Sequence, residues 1–475
     1  QAGAVRAGRG ARAAGPGTAA LLKAVLFRPE TLLAGTFGGL IAAGTLLLSL
    51  PVAHAGERVS VLDAFFTSTS AACITGLITV DTATRYSRFG QGTILVLCQL
   101  GGLGIMTFAA LAAQLFRLRI SFSSQAAWHR ALFDGEARIN LRQALRHIFL
   151  LTLLLETSGA LLLHAALRDL PPEHGGWFEA VFHAISAFCN AGFSVYSSNA
   201  VALRESHLAL WTIMGLIVAG GLGYTVLMEL FARTVRAVRR RREGPVVWSL
   251  HSRVVLKASA VLIFGGALLL MLTGLTAGEN TWGARLTHAL FQSVTARTAG
   301  FNSLDIGALP VPSLLILIAL MFIGGSPGSC AGGIKTTTAT VWAARVRARL
   351  SGRSEVTIGE RRVPHDVVRR AALVISIATL WNLAGVFLLA TAEIHAGGPR
   401  LEQLIFEQIS AFGTVGLSAN AGAAVSLSGT FTAVGKLWII ATMFVGRVGP
   451  LTLALAVIST PRPLYDYPSE RVMIG

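Results

Sequence analysis

Charge is what this sequence has least of. Asp, Glu, Lys and Arg make up 13% of its 475 residues, about half the roughly 25% of an average soluble chain, while hydrophobic residues reach 53%. A soluble chain of this length could not cover its surface with so few charges. Cysteine is scarce as well. Four in the whole chain exclude a disulfide-stapled secreted scaffold, and without a CxxC pair they argue for packing and against a metal site. The apolar content excludes disorder. There is no HExxH and no dinucleotide fingerprint, so nothing supports an enzyme. What remains is an integral membrane protein.

Acidic residues are outnumbered 23 to 40 by basic ones, giving a net charge of +17. A basic excess often marks nucleic-acid binding, but here it follows the apolar runs. Eight long apolar segments lie near 31–50, 91–116, 147–167, 207–231, 254–276, 313–342, 367–392 and 431–458. Each is sufficient for about 30 Å of hydrocarbon. With the N-terminus inside, the inward segments hold 29 Lys and Arg and the outward ones nine. The remaining two, Lys335 and Arg447, fall within spans. The positive-inside rule therefore sets the orientation, with both termini cytoplasmic, and no nucleic-acid partner is expected. The basic start of the chain, with no short apolar core after it, reads as a cytoplasmic tail and not a signal peptide.

Between the spans of each consecutive pair lies a shorter apolar stretch ending in glycine. Aligned on Gly76, Gly192, Gly300 and Gly416, the four read DAFFTSTSAACITGL, EAVFHAISAFCNAGF, THALFQSVTARTAGF and QLIFEQISAFGTVGL, at intervals of 116, 108 and 116 residues. Ten before the glycine stand Phe66, Phe182, Leu290 and Phe406; six before it stand Ser70, Ser186, Val294 and Ser410. A second match follows inside each even-numbered span: GGLG at 101 and 220, GGSPG at 324, GRVG at 446. One glycine among 51 would mean little, but four pairs in register mark a repeat.

The fold class expected is an all-α polytopic membrane protein of four membrane–pore–membrane repeats. Eight transmembrane helices and four re-entrant pore helices would surround one pseudo-fourfold ion pathway. The repeats run over 31–116, 147–231, 254–342 (with a broken last helix) and 367–458, between a tail at 1–30 and another at 459–475. Such a unit suits a cation pore. A cation leaving water needs substitute oxygens, which rings of backbone carbonyls supply, and turning carbonyls to one axis needs backbone that glycine permits. A short helix aims its negative C-terminal end at the pathway, and irregular backbone at membrane depth is tolerated only in protein or beside water.

These residues resemble the TrkH/KtrB/HKT superfamily of potassium transporters over about 25–460. The motifs are ITGL at 74, NAGFS at 190, RTAGFNS at 297, TVGLS at 414 and GGSPGSCAGGIKTTT at 324. The absence of a helical pair before the first repeat makes the layout more similar to KtrB. The resemblance implies a K⁺ selectivity filter at Ile74, Thr75, Gly76, Asn190, Ala191, Gly192, Thr298, Ala299, Gly300, Thr414, Val415 and Gly416. It also implies that glycine at 76, where sodium-preferring relatives carry serine, favours K⁺. One glycine per strand, against the two of the TVGYG filter, predicts looser discrimination against Na⁺. K⁺ is then the permeant ion, and no cofactor is expected. Implied partners are a ring of cytosolic nucleotide-binding RCK-type regulatory subunits, a second copy in a homodimer, and the lipid bilayer of the plasma membrane (the cell inner membrane). The arginine-rich loops at 233–245 and 345–362 are candidate docking surfaces.

The sixth span carries Gly324, Gly325, Ser326, Pro327, Gly328, Ser329, Gly332 and Gly333, too much glycine and proline for a continuous helix. It reads as an intramembrane loop obstructing the pathway; the plainer alternative is a kink. Lys335 follows it, and the separation of Lys335 from glycine by Ile334, with no strand before, rules out a phosphate loop. Arg447, at equivalent depth in the last span, is expected to donate to loop carbonyls and repel cations, or else to act as a structural tie. Arg297 is read as complementing the third pore-helix dipole. Glu156 and Glu229 read as hydrogen-bonded carboxylates before coupling-ion ligands. Alternatives to a gated K⁺ pore are a Na⁺- or H⁺-coupled symporter, a weakly selective pathway, and a receptor or scaffold.

Overall fold

A computed structural model of the chain describes residues 29–104, 141–168, 175–238, 248–276, 279, 281–393 and 398–449. The expected tail up to residue 28, the segment 105–140, the arginine run at 239–242 and everything after 449 lie outside the described residues.

The fold is a circle of helix trios. The first is α1 (Pro29–Leu48), α2 (Val61–Ala72) and α3 (Arg88–Gly102). The second is α4 (Leu141–Leu167), α5 (Trp177–Phe188) and α6 (His207–Leu222), which α7 (Tyr224–Val238) prolongs. The third is α8 (Leu250–Leu272), α9 (Trp282–Thr295) and α10 (Val311–Phe322), followed by α11 (Thr336–Leu350). The fourth is α12 (His365–Glu393), α13 (Leu401–Gly413) and α14 (Ala433–Val448). The middle helix of each trio is 12 to 14 residues long, too short to cross a bilayer. Side-chain caps start two of them: Ser60 accepts from Asp63 N and Thr281 from Ala284 N.

Each short helix packs on the long helices of its own trio and on the last helix of the trio before. Thus α3 reaches α5, α6 reaches α9, α10 reaches α13, and α14 returns to α2. That last contact closes the circle. The inner faces bury Phe66, Phe182, Phe291 and Phe406, while Leu153, Phe264, Leu380 and Phe387 point outward and exposed, as in a protein solvated by lipid. Leu145–Leu167, Leu250–Leu272 and His365–Glu393 are each long and apolar enough to span a membrane alone. Past α11, a two-residue hairpin pairs β1 (Thr357–Ile358) with β2 (Arg361–Arg362).

One sequence-based expectation needs correction. The sequence points to a break in the sixth long segment and treats the fourth, 207–231, as one span, yet the fourth is broken too. There α7 leaves α6 at 112°, pivoting on Gly223 at φ 88°. The helices α3 and α14 end at Gly102 and Val448, and the rest of those two apolar runs lies outside the described residues. A uniformly apolar run gives no periodicity signal for such a bend, because both halves bury or face lipid alike.

Candidate ion pathway

The four aligned glycines meet at the centre of the circle, each in left-handed backbone: φ is 86° at Gly76, 69° at Gly192, 77° at Gly300 and 93° at Gly416. Their arrangement is cyclic. A methyl group on Gly76 would run into the carbonyl of Ala191; on Gly192, that of Ala299; on Gly300, that of Val415; on Gly416, that of Thr75. Each glycine therefore abuts the carbonyl just before the next repeat's glycine, and the fourth returns to the first. Glycine is required here by space as well as by φ.

Two residues before each glycine, Ile74, Asn190, Thr298 and Thr414 are also left-handed, at φ 59°, 59°, 80° and 49°. Three of the four are β-branched, for which this region is disfavoured by about 1–2 kcal/mol each. Strain held in the same place four times is a mark of a functional segment. Left-handed residues at alternate positions turn successive carbonyls to one side, which is what a carbonyl-lined path needs. Nothing in the composition of these positions signalled that conformation.

The serine six before the glycine now has a physical role. Gly76 N donates to Ser70 Oγ at 3.0 Å and Gly416 N to Ser410 Oγ at 3.1 Å. Ser186 Oγ instead donates to Phe193 O at 2.7 Å. In the third repeat Val294 offers no such group, and Gly300 N has only Thr295 O at 3.4 Å.

Outside the ring lies a cavity of about 370 Å³ whose walls include Gly76, Gly192 and Gly416. Asp81 and Asp305 are its two acidic lining residues, and it has no basic one. Both stand five residues beyond a ring glycine. Asp81 accepts from Ser197 Oγ of the second repeat at 2.6 Å, and Asp305 from Gly422 N of the fourth at 2.9 Å.

On the other side of the ring runs the segment 323–335, a non-helical loop of turns and bends whose ends meet at Ile323 and Ile334. It crosses directly below, since a methyl group on Gly332 would strike the Thr414 side chain and one on Gly324 would come within 3.2 Å of the Thr298 methyl. The second glycine motifs turn out to be its sockets. Ser326 N donates to Gly221 O at 3.1 Å, Cys330 N to Gly220 O at 3.3 Å, and Cys330 Sγ to Gly102 O at 3.0 Å. Tyr224 N, just past the bend at Gly223, donates to Gly328 O at 3.1 Å. Helices that stop at membrane depth leave carbonyls unpaired; here the loop supplies the donors.

Arg447 completes the crossing. Its guanidinium donates to Cys330 O of the loop and to Gly101 O of the first repeat, the latter at 2.5 Å, and among the described residues no carboxylate pairs with it. Lys335 Nζ donates to Ala331 O at 2.5 Å. Gly325 O accepts from Thr336 N at 3.0 Å, and Ser329 Oγ donates to Ser326 O at 2.6 Å. Gly333 takes the positive φ of 63° that returns the chain to helix, while Pro327 faces Gly223.

Three other sequence-selected groups lie off this axis. Arg297 is buried, its Nη2 donating to Ser259 Oγ on α8 at 3.2 Å. Glu156 is buried and accepts from Gln99 Nε2 at 3.2 Å. Glu229 sits on α7, its Oε2 without a partner among the described residues. None of the three enters the ring or the loop.

Residues 37–465 match the TrkH family, described as a cation transport protein. The Ktr system potassium uptake protein B of Vibrio alginolyticus is 36% identical over 93% of this chain and 93% of its own length. The protein of the same name in Bacillus subtilis is 35% identical over 96% and 98%. The potassium/sodium uptake protein NtpJ of Enterococcus hirae is 33% identical over 94% and 97%. The crystal structure of the potassium transporter TrkH from Vibrio parahaemolyticus shares the fold, with a TM-score of 0.70 over 91% of this chain at 18% identity. A multi-pass helical chain with this ring, this match across most of its length and these relatives belongs to the TrkH family of cation transport proteins.

Proposed function

We propose that this chain takes up K⁺ across the plasma membrane through the ring of carbonyls around Gly76, Gly192, Gly300 and Gly416. The observation that carries the reading is the closed cycle of left-handed glycines, each against the next repeat's carbonyl. Such carbonyls replace the ion's water, and the cavity outside them, with Asp81 and Asp305 in its walls, delivers cations to the ring. The chain is a transporter and not an enzyme, like its relatives.

In this reading the segment from Gly324 to Gly333 is the gate. It lies across the path with Arg447 and Lys335 beside it, so a cation would meet both a steric stop and two positive charges. Opening requires the loop to leave the carbonyls of Gly102, Gly220 and Gly221, and Cys330 O to leave Arg447. The energy for that would come from cytosolic nucleotide-binding subunits acting on the basic inner face, where α11 and the β1–β2 hairpin carry Arg345, Arg347, Arg349, Arg361 and Arg362. Two copies of the chain would share one such ring of subunits.

The test is ⁸⁶Rb⁺ uptake into proteoliposomes by wild type and Gly76→Ser, with and without imposed Na⁺ and H⁺ gradients. Uptake that needs no such gradient and loses preference for K⁺ in the variant is the expected result. Uptake only under a Na⁺ or H⁺ gradient would replace the pore with a coupled symporter.

A further inference from the structure

Beyond each ring glycine the chain must hold its course for a few residues before it turns away into the wall of the outer cavity. The second and fourth repeats do this with the same device. In the fourth, Ser418, two residues past Gly416, accepts from Leu427 N at 2.7 Å and donates to Glu407 Oε2 at 2.7 Å. Glu407 stands nine residues before the same glycine, on α13, and is fully buried. In the second, Ser194 stands two past Gly192 and accepts from Tyr196 N at 2.9 Å. Its hydroxyl lies 2.8 Å from Nε2 of His183, nine before the glycine on α5. His183 Nδ1 is 2.7 Å from Glu179 O, a pure acceptor, so Nδ1 holds the proton and Nε2 accepts from Ser194. Both braces therefore run the same way, from a loop amide to a serine hydroxyl to a buried acceptor on the pore helix.

The other two repeats are braced differently. In the third, Ser303 takes the place of the serine one residue later, and His288 Nδ1, a turn earlier on α9, meets it at 2.9 Å. In the first, position 78 is isoleucine and nothing reaches it from α2. Instead Ile78 N donates to Ser426 Oγ at 3.0 Å and Ser426 N to Ile78 O at 2.9 Å, so the first strand leans on a loop of the fourth repeat. That loop hangs on Glu407 as well, whose Oε1 accepts from Ser428 N at 2.9 Å and Ser428 Oγ at 2.5 Å. One carboxylate thus fixes two of the four strands, one through each oxygen.

We propose that Glu407 is a positioning residue for ion discrimination, holding the outer strands of the fourth and first repeats in place through Ser418 and Ser428, with His183 doing the same for the second through Ser194. The inference rests on the reading of the ring as a selectivity filter. A carbonyl ring discriminates between cations only while its oxygens keep their positions and number, and serine braces behind the strand set both.

The test compares wild type, Glu407→Gln, Ser418→Ala, Ser194→Ala and Gly76→Ser in proteoliposomes, reading the Na⁺ and K⁺ concentrations that halve ⁸⁶Rb⁺ uptake. Gln is nearly isosteric with Glu but turns an N–H₂ either to Ser418 Oγ or to the Ser428 N and Oγ pair, so the brace on one side loses its acceptor. Loss of one net hydrogen bond corresponds to about fivefold in an equilibrium. The expected result for Glu407→Gln is a Na⁺/K⁺ half-inhibition ratio lowered by about that factor, with maximal Rb⁺ uptake and thermal midpoint in detergent near wild type. The serine variants should fall in the same direction and by less. A merely structural role would lower the thermal midpoint and leave the ratio alone. An unchanged ratio in Glu407→Gln and Ser418→Ala while Gly76→Ser lowers it overturns the inference and keeps the filter. An unchanged ratio in Gly76→Ser as well overturns both. Should Glu407→Gln fail to fold, Ser418→Ala decides.

Discussion

Lys436 and Asp63, 373 residues apart, form a 2.9 Å ion pair that joins the last repeat to the first. It is one of a set. Arg88 pairs with Glu179 at 2.8 Å between the first and second repeats, and Arg204 with Glu279 at 2.5 Å between the second and third. At the third boundary Asp305 reaches Gly422 N. Every seam of the circle is thus stitched on its outer side, and the Lys436 pair adds to the α14–α2 packing and the Ile78–Ser426 hydrogen bonds that close the ring. Its side chains are 15% and 16% exposed, between the surface case, worth about 0–1 kcal/mol, and the buried one, where loss of one partner costs about 3–5 kcal/mol. Asp63→Asn should therefore destabilise the detergent-solubilised protein by roughly 1–3 kcal/mol, seen as a lower thermal midpoint. The same variant of Glu57, whose partner Arg85 leaves it 82% exposed, should change little.

Arg447 donates both to the loop, at Cys330 O, and to the first repeat, at Gly101 O. If it holds the gate shut by its hydrogen bonds and its charge, Arg447→Gln keeps one amide donor and removes the charge. Basal ⁸⁶Rb⁺ uptake by the membrane chain alone should then rise several-fold, and Arg447→Lys should sit between the two, since a point charge lacks the guanidinium fork. Basal flux equal to wild type in Arg447→Gln would leave Arg447 a structural tie only.

The third strand lacks the serine that two of its counterparts use to hold the ring glycine's amide. Val294→Ser restores it. The change removes two methyl groups from a buried site, costing about 1–2 kcal/mol, and offers Gly300 N a partner worth about 1 kcal/mol. Stability should therefore fall by no more than about 1 kcal/mol, while Na⁺ competes less well with Rb⁺. Stronger competition by Na⁺ would show that the looser third strand is not a source of weak discrimination.

Much of this was legible in the sequence because it repeats. Four copies of a short apolar stretch ending in glycine located the ring, and the second set of glycines located the level at which the loop crosses. For Arg447 the sequence offers a gate donor or a structural tie, and its hydrogen bonds to Cys330 O and Gly101 O are common to both. What it missed is backbone geometry that side chains do not encode. Ile74, Thr298 and Thr414 are residues that ordinarily avoid positive φ, so their left-handed turns are imposed by the surrounding packing. The bend at Gly223 sits in an apolar run that reads the same straight or broken. The braces were hidden for another reason. Glu407 and Ser418 are eleven residues apart, and only the folded turn between them shows that position nine before the glycine faces position two beyond it.

Asp81 and Asp305 give the ring an outer electrostatic approach. They occupy the same position in the first and third repeats, five past the glycine, and they line a cavity without a basic residue. Clefts lined by charge of one sign raise the local concentration of the opposite ion, and the effect is screened over about 10 Å at 0.1 M salt. The double variant Asp81→Asn with Asp305→Asn should therefore lower ⁸⁶Rb⁺ uptake at low ionic strength and subsaturating Rb⁺, raising the apparent KM while leaving the maximal rate. In 0.5 M choline chloride the difference from wild type should shrink, because screening removes the attraction that the wild type enjoys. Asn keeps one acceptor where each carboxylate uses both oxygens, Asp81 also accepting from Ala83 N and Thr84 Oγ1 and Asp305 from Gly307 N, so the salt dependence of the KM change is what isolates charge. A KM that rises equally at both salt concentrations would assign the carboxylates to loop structure, and an unchanged KM at low salt would remove them from the ion's path.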